Sequence, residues 1–424
     1  MFIFYLITTI IYVLWMFFLF YRKKCLFSVT NIFFLSVVVN FWLYLAGWSS
    51  FITPCFDVTY YVVGMFQLLV ICFSVLTEGK DFAVKNYVYD VKTLKLKNIT
   101  IHWSRVFLVA LIFLSAIENL YCSYSLFPFL SGIDTHVSVM PIVGPFMRAF
   151  TPIVYIFTFI DYKNTKSKLT ILLAGLTILY LLLGSGSRLW SLISLAVTFI
   201  FILFFTKKDR EPISWSSFVK GALVLLVCVI FAYVVGEKRI NGTQYSTLID
   251  YRGPFSGTKF GELLSWYYGY FPFSFNNLNL SLQNIIESNL FTSGKFFFVP
   301  FNSILKISYF LPYTEESLQN FVRVVSLGSA SVPTAFCYFF ADFGYFFFVT
   351  PLFYLFSYFA GRRFGGVIGN AFSSYMVTVF LFFSFIDIFQ TGIPIYFLIL
   401  IFICTKLFIT KREAIRICER KMIL

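Results

Sequence analysis

Histidine is nearly missing from this chain: its 424 residues include two, His102 and His136. Charge is scarce as well, with 12% charged residues against 59% hydrophobic ones. So little charge cannot cover a water-soluble globule, which excludes the soluble classes and leaves a polytopic membrane protein. The eight cysteines contain no C-x-x-C pair and most fall inside apolar runs, so neither a zinc site nor a disulfide framework is indicated. There is no basic domain. The net charge of +14 comes from Lys and Arg in short loops, the pattern of topology signals and anionic-lipid contacts, so nucleic acid is not an expected partner. The first apolar run has no basic stretch before it and no A-x-A site after it, and Arg22-Lys23-Lys24 closes it. It is expected to be a retained span. Neither a P-loop frame nor an inverted internal repeat is visible.

What is present is a series of apolar runs. About twenty residues rising about 1.5 Å each cross the hydrocarbon core. On that scale spans fall at 2–20, 29–46, 58–77, 104–124, 141–160, 169–183, 189–205, 217–235, 343–360, 368–389 and 394–409. The expected fold class is therefore an all-α polytopic membrane protein with about eleven transmembrane helices. Residues 1–235 hold the first eight spans, 236–342 form one large loop, and 343–424 hold the last three spans and a basic tail. Placing every Lys/Arg-rich loop in the cytoplasm puts the N-terminus outside, the C-terminus inside and the large loop outside.

The large loop mixes charges with many aromatics, so it cannot span a bilayer and is too aromatic for a disordered tether. An ordered, partly helical cap over a cavity is expected. Several positive charges face or approach the outer side against the topology bias, among them Arg148, Arg188, Lys238, Arg239, Arg252 and Arg323. Arg148 lies in an apolar stretch broken by Pro141, Gly144, Pro145 and Pro152. An ionisable group beside irregular backbone at membrane depth marks a cavity by default, and a structural ion pair with Glu118 is the plainer reading. Asp387 is a weaker candidate of the same kind. The turn Gly184-Ser185-Gly186-Ser187-Arg188 sets backbone N–H groups and a guanidinium at a helix N-terminus, a geometry that suits an anion. A turn residue snorkelling to headgroups explains it equally well. Gly236-Glu237-Lys238-Arg239 leaves the eighth span at the membrane face, and Asp250-Tyr251-Arg252 follows. Lys259 to Tyr268 reads as a short amphipathic helix whose Trp266, Tyr267 and Tyr268 suit stacking on sugar rings or an interfacial aromatic belt.

At the far end of the loop, Pro333-Thr334 leads to Asp342-Phe343-Gly344 and, after the ninth span, to Gly361-Arg362-Arg363. Together with the turn ending at Arg188, this resembles the oligosaccharide repeat-unit polymerases of the O-antigen polymerase (Wzy) type. That family pairs a G-S-R turn between two spans with a large outside loop closing on a P-T…D-x-G segment. The resemblance implies a GT-C-like helical enzyme of the bacterial inner membrane, with the large loop and N-terminus periplasmic and the C-terminus cytoplasmic. It implies transfer of a glycan from undecaprenyl diphosphate onto the non-reducing end of another lipid-linked repeat unit, building O-antigen or capsule. Expected partners are the undecaprenyl-diphosphate-linked oligosaccharide, membrane lipids and a chain-length regulator.

On this reading Arg188 is the family's turn arginine and Asp342 with Gly344 its D-x-G pair. Arg148, Lys238, Arg239, Arg252 and Arg323 join Arg188 as diphosphate-binding candidates on charge alone. Fixed arginines supply electrostatic stabilisation of a leaving diphosphate, so no metal or cofactor is expected. The acceptor hydroxyl needs a base or an orienting group, with Glu237, Asp250, Glu262 and Asp342 as candidates. The nearest rival, an O-antigen ligase, resembles its relatives in placing a histidine in the large outside loop, and residues 236–342 contain none. A flippase for lipid-linked oligosaccharide would account for Arg148, Glu118 and Asp387 but not for a cap of about a hundred residues. A membrane scaffold is the remaining reading.

Overall fold

The computed structural model describes residues 1–23, 29–79, 94–96, 102–128, 140, 143–184, 188–206, 244–305, 324 and 334–411. Its backbone is almost entirely helical and divides into two compact units, one of residues 1–83, 210–358 and 379–392, the other of 84–209, 359–378 and 393–424. Among the described residues four helices are long and apolar enough to cross a membrane. The number becomes five if a sharply bent pair is one span. The chain is thus a helical protein with the character of a membrane protein. Of the eleven spans expected, those at 29–46, 169–183, 189–205, 368–389 and 394–409 fall on apolar helices shorter than a full crossing, and 217–235 lies outside the described residues.

In the first unit, α1 (Phe2–Lys23) packs along α3 (Asp57–Ser74). Their apolar faces meet around one polar knot: Gln67 Oε1 accepts from Thr8 Oγ1 at 2.8 Å, and its Nε2 donates to Thr9 Oγ1 at 3.0 Å. Gly64 permits the approach, since a Cβ there would lie 2.9 Å from the Phe4 ring. Between them, α2 (Val29–Leu45) is interrupted by a π-turn at Phe34–Val38. Phe33, Phe66, Phe336 and Phe383 form the aromatic centre, with Phe33–Phe66 and Phe66–Phe336 ring centroids each 4.8 Å apart.

The large loop is mainly helical where it is described, with turns at 249–258 and 288–294, and its helices belong to this unit. Tyr245–Leu248 forms one turn, α8; Lys259–Tyr270 is α9, Pro272–Glu287 α10 and Lys295–Leu305 α11. The helix α9 begins where Thr258 Oγ1 accepts from Gly261 N at 3.1 Å, and α10 begins on Pro272, whose missing N–H costs nothing in a first turn. Buried asparagines inside α10 hold the turn between α2 and α3. Asn276 Oδ1 accepts from Thr53 N at 2.9 Å, and Asn279 Oδ1 accepts from Phe56 N at 2.8 Å. Beyond the loop, α12 (Ala335–Phe343) starts eight residues before the expected ninth span, so Asp342 sits inside a helix. Gly344, at φ +56°, turns the backbone, and α13 (Val349–Phe364) leaves at 111° to α12.

In the second unit, α5 (Val143–Thr165) is the buried centre, surrounded by α4 (Trp103–Ser123), α6 (Lys168–Gly184), α7 (Arg188–Thr206) and α15 (Ile393–Phe408). One end of α4 and α5 is tied by a hydrogen bond from Ser104 to the buried Asp161 carboxylate. Beside it, Arg105 donates to Ser167 Oγ at 2.9 Å and Thr170 Oγ1 at 3.2 Å across the α5–α6 turn. A short antiparallel ladder pairs Leu94–Leu96 with Ile409–Lys411. The helix α14 (Gly366–Leu381) approaches the end of α13 so closely that a Cβ on Gly369 would lie 2.4 Å from the Gly361 carbonyl oxygen.

Candidate functional site

The second unit gathers an unusual set of side chains around Arg148. The guanidinium lies on α5, five residues from the helix start, and is partly buried. Its own carbonyl would normally accept from the residue four positions later, but that residue is Pro152, which has no N–H to give. Proline here therefore loosens the helix at the turn that carries the charge. The Arg148 guanidinium carbon stands 5.2 Å from the centroid of the Trp190 ring, in the first turn of α7. The carboxylate of Glu118, on α4, acts on it electrostatically, as does Tyr375 on α14. Among the described residues Arg148 makes no hydrogen bond and no ion pair. Arg148 is in turn the first of the groups acting electrostatically on Glu118, ahead of the Met140 backbone.

Arg188 is the first residue of α7, two positions before Trp190. The two arginines singled out in the sequence thus belong to one end of one unit: Arg148 by its contact with Trp190, Arg188 by its backbone. The Arg188 side chain and the turn 185–187 lie outside the described residues, as do Glu237, Lys238, Arg239 and Arg323.

In the first unit the candidates are distributed differently. Asp250 and Arg252 pair with each other at 2.5 Å on an exposed turn. Hydrogen bonds from Ser50 and Arg252 hold the Asp250 carboxyl below the usual aspartate range. Glu262 is buried in α9, and its Oε1 accepts from Ser246 N at 3.0 Å, capping α8. Trp266 and Tyr268, expected to stack on sugars, lie in the packed interior with Tyr245, Ile249, Tyr251 and Phe273. Trp266 stacks on Tyr245 at 4.1 Å, and Tyr268 stacks on Trp48 at 5.7 Å while its hydroxyl oxygen accepts from that residue's backbone N–H at 2.9 Å. Burial pushes the Tyr245 and Tyr268 hydroxyls up from their ordinary range. Tyr267 alone of the three presents a face, at 39% exposure, with its hydroxyl donating to Asn40 Oδ1 at 2.6 Å.

Asp342 is the most fully engaged carboxylate. It accepts from Thr292 Oγ1 at 2.6 Å, Phe296 N at 3.0 Å and Phe297 N at 2.6 Å, and so caps the start of α11 from a neighbouring helix. Those three donors take up most of the carboxylate's acceptor capacity, two on Oδ1 and one on Oδ2.

Sequence reasoning did not single out Trp190, Tyr375, Asn276 or Asn279. Trp190 carried a usable signal, an aromatic residue in the opening turn of a helix that begins with arginine. Tyr375 lies in a mostly apolar helix whose polar stripe, Asn370, Ser373, Ser374 and Thr378, does not include it. Among the described residues no group of three or more His, Cys, Asp or Glu is arranged to hold a metal ion. Comparison with protein-family models, with curated proteins and with solved structures finds no match to this chain.

Proposed function

We propose that this chain is a polysaccharide polymerase of the bacterial inner membrane. It would move a glycan from its undecaprenyl-diphosphate carrier onto the non-reducing end of another carrier-linked repeat unit. The observation that carries this reading is Arg148: a guanidinium on an apolar helix that holds Pro152 one turn on, laid over Trp190 at the opening of α7, without an ion pair among the described residues. The two short motifs of the O-antigen polymerase type, at Gly184–Arg188 and Asp342–Gly344, support it. The layout that goes with it has about eleven spans in a GT-C-like arrangement, with the loop 236–342 and the N-terminus periplasmic and the C-terminus cytoplasmic.

In the reaction the acceptor hydroxyl attacks the anomeric carbon, the bond from that carbon to the diphosphate oxygen breaks, and the hydroxyl proton passes to a base. Charge grows on the leaving diphosphate, and Arg148 with the α7 N-terminus and Arg188 opposes it. Deletion of the gene in its host, with the surface polysaccharide displayed by length, tests the reading. Single repeats still joined to their anchor, with long chains lost, would support polymerisation. Unmodified anchor with accumulated lipid-linked polymer would mean a ligase, and repeat units that never reach the outer side would mean a flippase.

A further inference from the structure

The turn 46–56 joins α2 to α3, and α3 is one of the helices long and apolar enough to cross a membrane. The turn therefore stands at one membrane face. The segment leading into α9 is fastened to it. Arg252 N donates to Trp48 O at 2.8 Å, Ser49 Oγ donates to Ile249 O at 2.5 Å, and Ser49 forms an isolated antiparallel bridge with Tyr251. All of these residues belong to the first unit.

From that attachment the chain makes a tight loop, 253–258, before α9 begins. Phe255 at its tip is 61% exposed and takes φ +59°, a left-handed conformation unfavourable to a bulky L side chain. Hydrogen bonds impose it. Phe255 O accepts from Thr258 N at 3.0 Å and from Thr258 Oγ1 at 2.7 Å, while Ser256 Oγ donates to Tyr251 O at 3.0 Å and Tyr251 Oη to Pro254 O at 3.3 Å. The close return of the chain needs Gly261, where a Cβ would collide with the Phe255 carbonyl oxygen. Glycine or asparagine would suit the backbone at 255 better than phenylalanine does, so the loop's own conformation does not call for the ring. Packing does not call for it either: its ring partner among the described residues is Phe260, edge-on at 5.2 Å and itself 53% exposed. Phe51, on the turn 46–56, is exposed as well. Two exposed cations, Arg252 and Lys259, bracket the phenylalanine pair. Arg252 pairs with Asp250, whereas Lys259 has no ion pair among the described residues.

A rigid tip that shows two rings outward, carries cations on both flanks and is tied to a turn at the membrane face matches the layered chemistry of a lipid surface. We propose that Phe255 and Phe260 enter the bilayer beside that turn, with Lys259 and Arg252 at the level of the lipid phosphates, and so anchor the leading end of α9 to the membrane. The rings leave water for the upper acyl region, and the cations meet phosphate instead of solvent. This inference rests on α3 lying in the membrane and is independent of the polymerase reading.

The test uses full-length protein in nanodiscs of phosphatidylcholine and phosphatidylglycerol, with a single 4-fluorophenylalanine in place of Phe255. One fluorine preserves the ring and the fold around it. Fluorine line widths are recorded with a nitroxide on the lipid acyl chain and, separately, with a water-soluble gadolinium chelate. We expect the lipid nitroxide to broaden the signal several-fold more than the chelate does, as it should for the same label at Phe17, an exposed residue of α1. In Lys259→Gln the lipid-borne broadening at position 255 should fall, and fall further in phosphatidylglycerol than in phosphatidylcholine alone. Broadening by the chelate with none from the lipid nitroxide leaves the tip in water and overturns the inference. Protection from both reagents puts the rings under protein, a second copy or another partner, and overturns it as well. Wild-type broadening in Lys259→Gln overturns the assignment of the cations to headgroups. None of these outcomes bears on Arg148.

Discussion

Thr292 and Asp342 stand fifty positions apart in the chain and share a hydrogen bond of 2.6 Å. The same carboxylate takes the backbone N–H groups of Phe296 and Phe297, which open α11. A second tie, from Thr292 N to Ala341 O at 2.8 Å, closes the junction from the other side. Asp342 thus fastens the large loop's last described helix before 334 to the helix that follows the loop.

This assigns Asp342 a role that mutation separates from catalysis. Asp342→Ala removes the acceptor for three donors in a buried place, and we expect a loss of about 2–4 kcal/mol in stability. Asp342→Asn keeps one acceptor oxygen and should lose less, with activity falling only as the folded fraction falls. Thermal unfolding in detergent beside a polymerisation assay decides. A well-folded, inactive Asp342→Asn would keep the residue among the candidate bases.

Arg148 behaves oppositely. Replacing it by Ala should leave insertion and folding close to wild type and lower polymerisation about 10²–10³-fold, the usual effect of removing one donor from a developing negative charge. Trp190→Ala removes the ring beneath the guanidinium and should cost roughly 0.5–2 kcal/mol of positioning, a few-fold to about thirty-fold in rate. Trp190→Phe should lie between. Chain-length display of surface polysaccharide in a complemented deletion strain reads all three, with membrane-fraction abundance as the control. Wild-type chain length in Arg148→Ala removes it from the site.

The difference between these two residues shows what the sequence can carry. Arg148 was legible because a charge among apolar residues and prolines is anomalous whatever surrounds it. Asp342 was ambiguous because its donors, Thr292 to Phe297, are far away in sequence, and a carboxylate before glycine reads alike as base or cap. Trp266 and Tyr268 were ambiguous for a related reason. Aromatics on one face of α9 look the same whether they meet solvent or protein, and the residue that covers Tyr268 is Trp48, on a turn near the start of the chain. The helices themselves were readable from apolar run length. The early start of α12 was not, because Pro333-Thr334 looks like loop until Ala335 N is seen donating to Phe383 O at 3.0 Å.

Asp250 supplies a dependence on pH. Its hydrogen bonds from Ser50 and Arg252 hold the carboxyl below its ordinary value of 3.8, so in acid the folded chain binds this proton less readily than the unfolded one. The stabilisation is fully present above that ordinary value and disappears as pH falls through the folded one. Asp250→Asn should therefore unfold at a slightly lower temperature than wild type near neutrality, and the difference should vanish in acid. Because the group is exposed, the effect should also shrink in high salt. A difference that grows on acidification would contradict the assignment.

The last prediction concerns the asparagine clasp between α10 and the turn before α3. Asn279 uses its whole amide: Oδ1 accepts from Phe56 N at 2.8 Å and Thr59 Oγ1 at 2.7 Å, while Nδ2 donates to Pro54 O at 2.9 Å and Thr53 Oγ1 at 3.2 Å. Asparagine is a poor helix former, so on propensity alone Asn279→Leu should stabilise α10 by a few tenths of a kcal/mol. The clasp predicts the opposite sign, a loss of about 2–4 kcal/mol, because Phe56 N, Thr59 Oγ1 and Pro54 O lose a partner in a buried setting, while Thr53 Oγ1 keeps its bond to Asn276. Cys55 lies within that turn and reports its state. Burial pushes its thiol up to about 12, against the opposing hydrogen bonds from Tyr60 and Tyr44, so near neutral pH almost no reactive thiolate exists. Opening the clasp should bring the thiol back toward its ordinary value and accelerate maleimide labelling at Cys55, followed by peptide mass spectrometry. Unchanged labelling together with a raised unfolding temperature in Asn279→Leu would mean that α10 does not hold the turn.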